Sequence, residues 1–261
     1  MQVSIIITTY NWPGALRLSV GSIFRQTCLP EEIIVADDGS DAQTADVVRQ
    51  LTAESPVRLV HSWQNDRGFR LAMSRNKAIA RARGDYIILI DGDIILERHF
   101  IEDHCAFATP GYFVQGTRVL LNAPLSERTL AHGELKISLF TSGVENKKNS
   151  IRSKVLSRFL SFRSARLKGV KTCNFAFWKE DCLAINGFNE EFVGWGREDS
   201  EFTARLLNIG VRRQSVRFRA IGYHLYHKIN TRDRLAVNDG ILRETISQKR
   251  VWCEKGIHQY L

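Results

Sequence analysis

The feature that most constrains this chain is an alternation in its first ninety residues. Short apolar, β-branched runs each end in a polar cluster, and each is followed by a helix-like stretch. "VSIIITTY" (3–10) is a continuous apolar run that stops at "NWPG". Pro13 suits the first turn of a helix, and Leu16, Val20, Ile23 and Phe24 then fall at i, i+4, i+7 and i+8, one helical face over 15–26. "EEIIVADDGSD" (31–41) repeats the strand-to-loop pattern, and "DAQTADVVRQL" gives the next helix. "VRLVHS" (57–62) predicts a third strand, followed after "QNDRG" by a helix through "RLAMSRNKAIARA", and "DYIILI" (85–90) predicts a fourth. Strands alternating with helices of about 12 residues form βαβ units, so the predicted fold class is α/β, a three-layer sandwich around a parallel sheet.

The 261 residues, 44% of them hydrophobic, suffice for one large domain with a sizeable core. Five cysteines (Cys28, Cys105, Cys173, Cys182, Cys253) are odd in number, widely spaced and contain no CxxC pair, which argues against both a disulfide framework and a zinc site. No apolar run approaches the roughly 20 residues that span a bilayer, and Met1-Gln2 runs straight into the first strand, so neither a membrane span nor a signal peptide is expected. Free thiols in a reducing cytosol fit this composition.

The net charge of +9 is concentrated. Residues 147–171, "KKNSIRSKVLSRFLSFRSARLKGVK", hold nine basic residues and no acid, leaving 28 basic against 28 acidic elsewhere. Ile151, Val155, Leu156, Phe159, Leu160 and Phe162 lie there at partly helical spacing, which predicts a basic amphipathic helix. Three uses compete for it: a solvated face, attachment to anionic lipid or a phosphorylated acceptor, and nucleic acid.

In open α/β sheets ligands bind beyond the carboxyl ends of the strands. "TTYN", "ADDGSD" and "DGDIILE" stand at those ends here, so Asp37, Asp38, Asp91 and Asp93 converge on one edge. Any one aspartate at a strand end is equally a turn former or helix cap. "ILIDGDIIL" is sharper, because two carboxylates interrupt an apolar run and need compensation. A bound Mg²⁺ or Mn²⁺ provides it, and Gly92 leaves room for backbone or substrate.

The second half lacks the βα rhythm. "TCNFAFWKEDCLAI" gives an aromatic strand ending near Trp178 and a short helix, and a further helix runs from about Glu198 to Asn208, with Phe202, Leu206 and Ile209 on one face and Gly210 at its C-cap. Glu198 and Asp199 occupy its first turn, where the helix dipole already favours acids. Upstream, Trp195 stands between Gly194 and Gly196, a flexible aromatic platform of the kind that stacks a sugar ring. Arg197 faces either an anionic acceptor or a neighbouring carboxylate, and Glu201 reads as a solvated helix residue. "AIGYHLYHKIN" (220–230) supplies His224 and His227, which share a face if helical and point oppositely if extended; beside a DxD they allow a mixed carboxylate and imidazole metal site.

"SIIITTYN", "VADDGSD" and "SRNKAIARARGDYIILIDGDIIL" together resemble the nucleotide-sugar half of the family 2 glycosyltransferases of GT-A fold, a Rossmann-like three-layer α/β/α sandwich. "CNFAFWKEDCLAINGFNEEFVGWGREDSEFTARLLNIG" resembles the acceptor half of galactosyltransferase-like and chondroitin-polymerase-like members. The resemblance implies one GT-A domain: a nucleotide-sugar half (1–105), the basic connecting segment (106–172), an acceptor half (173–230) and a helical tail (231–261). It implies that Thr8, Tyr10 and Asp38, with Asp37 adjacent, hold uridine, and that Arg75 lies near the donor diphosphate. Asp91 and Gly92 would contact the donor, and Asp93, His227 and His224 would ligate Mn²⁺ or Mg²⁺. Glu198, Trp195 and Gly196 would hold the acceptor, with Asp199 as general base.

The expectation is a metal-dependent inverting transfer from a UDP-sugar to a glycan or lipid-linked acceptor, of the bacterial lipopolysaccharide or capsule type. The expected place is the cytoplasm, in peripheral contact with the inner face of the bacterial inner membrane through 147–171. Processive relatives carry a Gln-x-x-Arg-Trp motif; "QKRVW" (248–252) has the wrong spacing. A nucleotidyltransferase acting on sugar phosphates, releasing pyrophosphate, and a basic nucleic-acid-binding protein are the rival classes; no nucleic acid is expected.

Overall fold

In the computed structural model, which describes residues 1–138, 140–228 and 231–261, the first half follows the expected alternation. Strands β1 (Val3–Thr9), β2 (Glu32–Asp37), β3 (Arg58–Trp63) and β4 (Tyr86–Asp91) are parallel neighbours in the order β3-β2-β1-β4. Helices α1 (Pro13–Phe24), α2 (Ala42–Glu54) and α3 (Leu71–Arg81) connect them. α1 starts on Pro13, and α2 is capped by Asp41, whose carboxylate accepts from the Thr44 N–H at 3.2 Å.

β1, β2 and β4 carry unbroken apolar centres because both faces of the sheet are covered there, whereas the edge strand β3 is partly exposed. Ile5 and Ile7 pack with Leu16, Val20, Val48 and Leu51 of α1 and α2, whereas Ile6 packs with Ala78 and Ile79 of α3. All three isoleucines are fully buried, each contributing about 1.5–3 kcal/mol. These are the three layers of an α/β/α sandwich.

After β4 the chain forms β5 (Ile94–Leu96), α4 (Phe100–Phe107), β6 (Tyr112–Gln115), β7 (Thr117–Leu121), α5 (Ala123–His132) and β8 (Val144–Glu145). Then come α6 (Lys154–Leu160), β9 (Phe162–Ser164), β10 (Asn174–Trp178), α7 (Lys179–Ala184), α8 (Glu198–Asn208), β11 (Arg212–Ser215), β12 (Ile221–His224) and α9 (Leu235–Ser247). The large sheet continues β4-β10-β6-β11-β9, with β10 antiparallel to both neighbours. A second sheet, β5-β12-β7-β8, packs Ile95, Val119 and Ile221 against Ala15 and Leu18 of α1. It takes the chain straight from the DGD stretch into β5 and brings β12 alongside.

Two expectations are corrected here. Residues 147–171 are not one amphipathic helix: a 3-10 turn at Lys147–Ser150 and the seven-residue α6 are followed by β9 at the sheet edge. Two contacts hold the stretch in this irregular path: Arg152 pairs with the buried Asp103 (Nη2 to Oδ1 2.7 Å), which also takes Arg219 Nε and the Ala220 N–H, and 162–164 pair with β11 at the sheet edge. On α8, Phe202 and Leu206 are buried but Ile209 is exposed, because the helix ends there and Gly210 turns away with φ +90°. All five cysteines are free.

Candidate active site

The DGD stretch is set by the β1·β4 pairing. Thr8 lies opposite Asp91, and its hydroxyl donates to Asp91 Oδ1 at 3.0 Å. The Gly92 N–H donates to the Thr8 carbonyl at 2.7 Å, and a Cβ on Gly92 would stand 2.6 Å from that oxygen. Gly92 therefore admits backbone, and only glycine fits.

Asp93 then turns inward. β12 pairs antiparallel with β5 so that His224 faces Ile94, and the Leu225 N–H donates to the Asp93 carbonyl at 3.0 Å. The strand ends at His224, so the extended alternation stops and His227 returns to the same carboxylate. Asp93 Oδ2 lies 3.5 Å from His224 Nε2 and 3.3 Å from His227 Nε2. One ligand atom from each of Asp93, His224 and His227 lies within 4.8 Å of the others. Ile229 and Asn230, the end of that stretch, lie outside the described residues.

Burial, then the charge of Asp91, pushes the Asp93 carboxyl well above the usual range, and its Oδ1 is buried without a partner among the described residues. Burial, then the charge of Arg118, lowers His224 to about 4, which keeps its imidazole neutral. A neutral imidazole and a carboxylate short of partners, converging with a second imidazole, fit a divalent cation.

Arg75 ties this corner to the second half of the chain. Nearly fully buried on α3, it places Nη2 3.5 Å from Asp91 Oδ1 and Nη1 3.4 Å from Glu198 Oε1, with its guanidinium 5.1 Å over the Phe188 ring. Burial, then the neighbouring Asp199, lifts Glu198 to about 7, and Arg75 pulls the other way. Asp199 is also raised by burial; its Oδ1 accepts from the Ser200 N–H at 2.7 Å. Its Oδ2 has no hydrogen bond among the described residues.

The Gly-Trp-Gly turn is held by α9. Gly194 has φ +77°, and a Cβ there would meet Arg234 at 2.9 Å; Asn238 Nδ2 donates to the Gly196 carbonyl at 2.9 Å. Arg232 lies 5.3 Å over the half-buried Trp195 ring. Arg197, the left-handed N-cap residue, donates from Nε to Asp239 Oδ1 at 2.5 Å, so of its two readings the carboxylate contact is the one formed. Glu201 is not solvated as expected. It is fully buried, with Oε1 and Oε2 each 2.8 Å from Arg205, because α9 covers that face and the Thr245 hydroxyl donates to it.

At the far end of the edge the two aspartates differ. Asp37, expected among the donor-binding residues, is fully buried. Its Oδ1 accepts from Gly39 and Ser40 N–H, and its Oδ2 bonds His61 Nε2 at 2.8 Å, so it shapes the turn and has no free face. Asp38 accepts from Gln64 Nε2 at 2.6 Å and the Arg70 N–H at 2.7 Å, yet burial outweighs these bonds and lifts it to about 6. Tyr10 is exposed, its hydroxyl donating to Asp66 Oδ2 at 3.0 Å. Arg118, Gln64 and Asp66 carried no local signal, since an arginine in a short strand and polar residues in a turn are ordinary. Only the pairing of distant strands places them here.

The profile for glycosyl transferase family 2 matches residues 4–171, and that described as the N-terminal domain of galactosyltransferase matches residues 156–228. Chondroitin synthase of Escherichia coli is 28% identical over 95% of this chain and 38% of its own length. Across the first five curated relatives the chain spans between 23% and 52% of their length. In fold it is similar to S. aureus TarS 1-349 in complex with UDP (TM-score 0.64, 16% identity, 100% of this chain and 68% of that one). It is also similar to the mannosyltransferase PcManGT from Pyrobaculum calidifontis in complex with GDP-Man and Mn²⁺ (TM-score 0.59, 19% identity, 87% and 57%). A profile that takes in more than half the chain, from β1 through the DGD stretch to the loop before β10, shows that the chain belongs to glycosyl transferase family 2.

Proposed function

We propose that this chain is a metal-dependent inverting glycosyltransferase that moves a hexose or N-acetylhexosamine from a UDP-sugar to a hydroxyl of a glycan or lipid-linked saccharide, in bacterial lipopolysaccharide or capsule synthesis. The observation that carries this reading is Arg75, buried between Asp91 of the strand-end cluster and Glu198 of the α8 first turn. It makes one electrostatic unit of two acidic sites more than a hundred residues apart.

In this reading Tyr10, Thr8 and Asp38 line the nucleoside end, with Asp37 holding the turn that presents Asp38. Asp91 and Arg75 border the diphosphate. Asp93, His224 and His227 would hold Mn²⁺ or Mg²⁺, which when bound neutralises charge on the nucleotide leaving group. Trp195 and Gly196 offer the acceptor a platform, and Glu198, fixed by Arg75, takes a hydrogen bond from its hydroxyl. Asp199 accepts the hydroxyl proton at Oδ2 as the acceptor oxygen bonds to the anomeric carbon and the bond from that carbon to the UDP oxygen breaks. A single base with no covalent nucleophile gives one displacement, with inversion.

The purified chain, given Mn²⁺ and a panel of UDP-sugars, should release UDP with at least one donor and acceptor. Release of pyrophosphate from a nucleoside triphosphate and a sugar phosphate would instead identify a nucleotidyltransferase.

A second part of the reading concerns placement. α6 exposes Val155, Leu156, Phe159 and Leu160 beside Lys154 and Arg158, and Phe159 is 77% exposed. Apolar side chains among basic ones and no acids support peripheral contact of 147–171 with an anionic membrane. No helix among the described residues is long and apolar enough to cross one.

A further inference from the structure

A cavity of about 210 Å³ beside the site has a charge pattern that the donor chemistry does not use. Arg118, Lys171, Arg213 and Arg217 line it, and no carboxylate does. Elsewhere the buried arginines find acids: Arg75 has Asp91 and Glu198, Arg152 and Arg219 share Asp103, and Arg205 has Glu201. Among the described residues none of the four cavity cations forms an ion pair; Arg213 Nη1 donates to the Lys168 carbonyl at 3.0 Å and Arg118 Nη1 contacts Cys173 Sγ at 3.9 Å. Arg213 Nε and Ser215 Oγ, both on the cavity wall, are buried without hydrogen-bond partners. Burial and the charge of Arg217 hold the Arg213 pKa below its usual value. Like charges collected in a half-enclosed space raise the free energy of the empty cavity, and an anion reverses that cost.

The cavity adjoins the corner that holds Asp91 and His224 through its own walls. Arg118 on β7 lies opposite Gly222, two residues before His224 on β12. Cys173, also on the wall, precedes Asn174, which faces Ile90 next to Asp91. Asn149 and Lys171, from the basic stretch, also line it.

We propose that this cavity is a phosphate-binding subsite for the acceptor, receiving a phosphate carried by the saccharide or its lipid link and so fixing which hydroxyl reaches Asp199. The proposal rests on the transferase reading above. A phosphate suits the cavity better than a carboxylate does: it brings up to two charges to four cations, and its oxygens match the guanidinium fork. The volume of about 210 Å³ leaves room for an ion the size of phosphate.

The test titrates inorganic phosphate calorimetrically into the full chain already saturated with UDP and Mg²⁺, for the wild type and for the Lys171→Gln, Arg217→Gln double variant. Both side chains are exposed, so the variant should fold. The expected result is phosphate binding weakened at least tenfold in the variant, with UDP affinity within twofold of the wild type. Equal phosphate binding in both proteins, or none in a wild type that binds UDP, would overturn the proposal. A tenfold fall in UDP affinity would assign the cavity to the donor, and tighter binding of glucuronate than of phosphate would assign it to a carboxylate; either refutes it. Loss of binding to phosphatidylglycerol vesicles without phosphate binding in solution would leave only a lipid-surface contact. Failure of the wild type to bind UDP would bring down the transferase reading itself, a result distinct from all of these.

Discussion

Asp199 and Glu201 are two residues apart in one helix turn and have opposite fates. Asp199 Oδ2 has no hydrogen bond among the described residues, whereas both oxygens of Glu201 are taken by Arg205. Asp199→Asn should lower transfer by about 10²–10⁴-fold, the usual contribution of a positioned base, while UDP affinity measured by calorimetry stays unchanged. Transfer at the wild-type rate would remove Asp199 from the mechanism. Glu201→Ala should cost about 3–5 kcal/mol in urea denaturation, because it strands a buried guanidinium; replacing Glu201 and Arg205 together with methionines should recover most of that loss. In the sequence alone Glu201 reads as solvated, and its burial overturns that reading. A Glu and an Arg at i, i+4 look like a surface pair, and only the docking of α9, forty residues on, buries them.

At the scale of elements, the strands and helices of the first half were legible because β1, β2 and β4 have apolar centres buried on both faces and the helices between them carry apolar stripes. The aspartates at the strand ends followed from that pattern. The meeting of His224 with Asp93 did not, since it depends on the β5·β12 register across more than a hundred residues. The basic stretch misled for a related reason: its local spacing is helical, but Asp103 on α4 captures Arg152 and the sheet edge captures 162–164. α4 also carries a titration that can be read out. Asn174 Nδ2 donates to the Thr117 and Ala220 carbonyls, so its Oδ1 must accept from His104 Nε2, leaving His104 Nδ1 unprotonated, buried and unpartnered. Burial lowers His104 to about 4 from an unfolded value of 6.5. The folded state therefore binds this proton more weakly than the unfolded state. Its stability is full above about pH 6.5 and is lost as the pH falls towards 4, by about 3 kcal/mol at 1.36 kcal/mol per unit. His104→Gln keeps a donor and does not titrate, so its denaturation midpoint should fall less steeply over that interval; parallel curves would refute the assignment.

At the scale of the whole molecule, the carboxyl edge of the parallel strands, the Gly-Trp-Gly loop held by α9 and the basic, apolar face of α6 are the three surfaces that the proposed function uses. Wild-type protein should sediment with anionic vesicles at low salt and be released at high salt, and Phe159→Ser with Arg158→Gln should weaken that binding without changing UDP affinity; sedimentation equal to that with neutral vesicles would contradict the membrane placement. The central claim is that Asp93, His224 and His227 hold a cation that completes the donor site. It is tested most directly by thermal unfolding with UDP, with and without Mn²⁺, in wild type and His227→Ala. UDP at a hundred times its Kd stabilises the folded state by about 2.7 kcal/mol, or about 5–10 °C for a domain of this size. The expected result is that shift in wild type with Mn²⁺, little without it, and most of it lost in His227→Ala. No shift with UDP and Mn²⁺, or an equal shift when the metal is removed, would contradict the account.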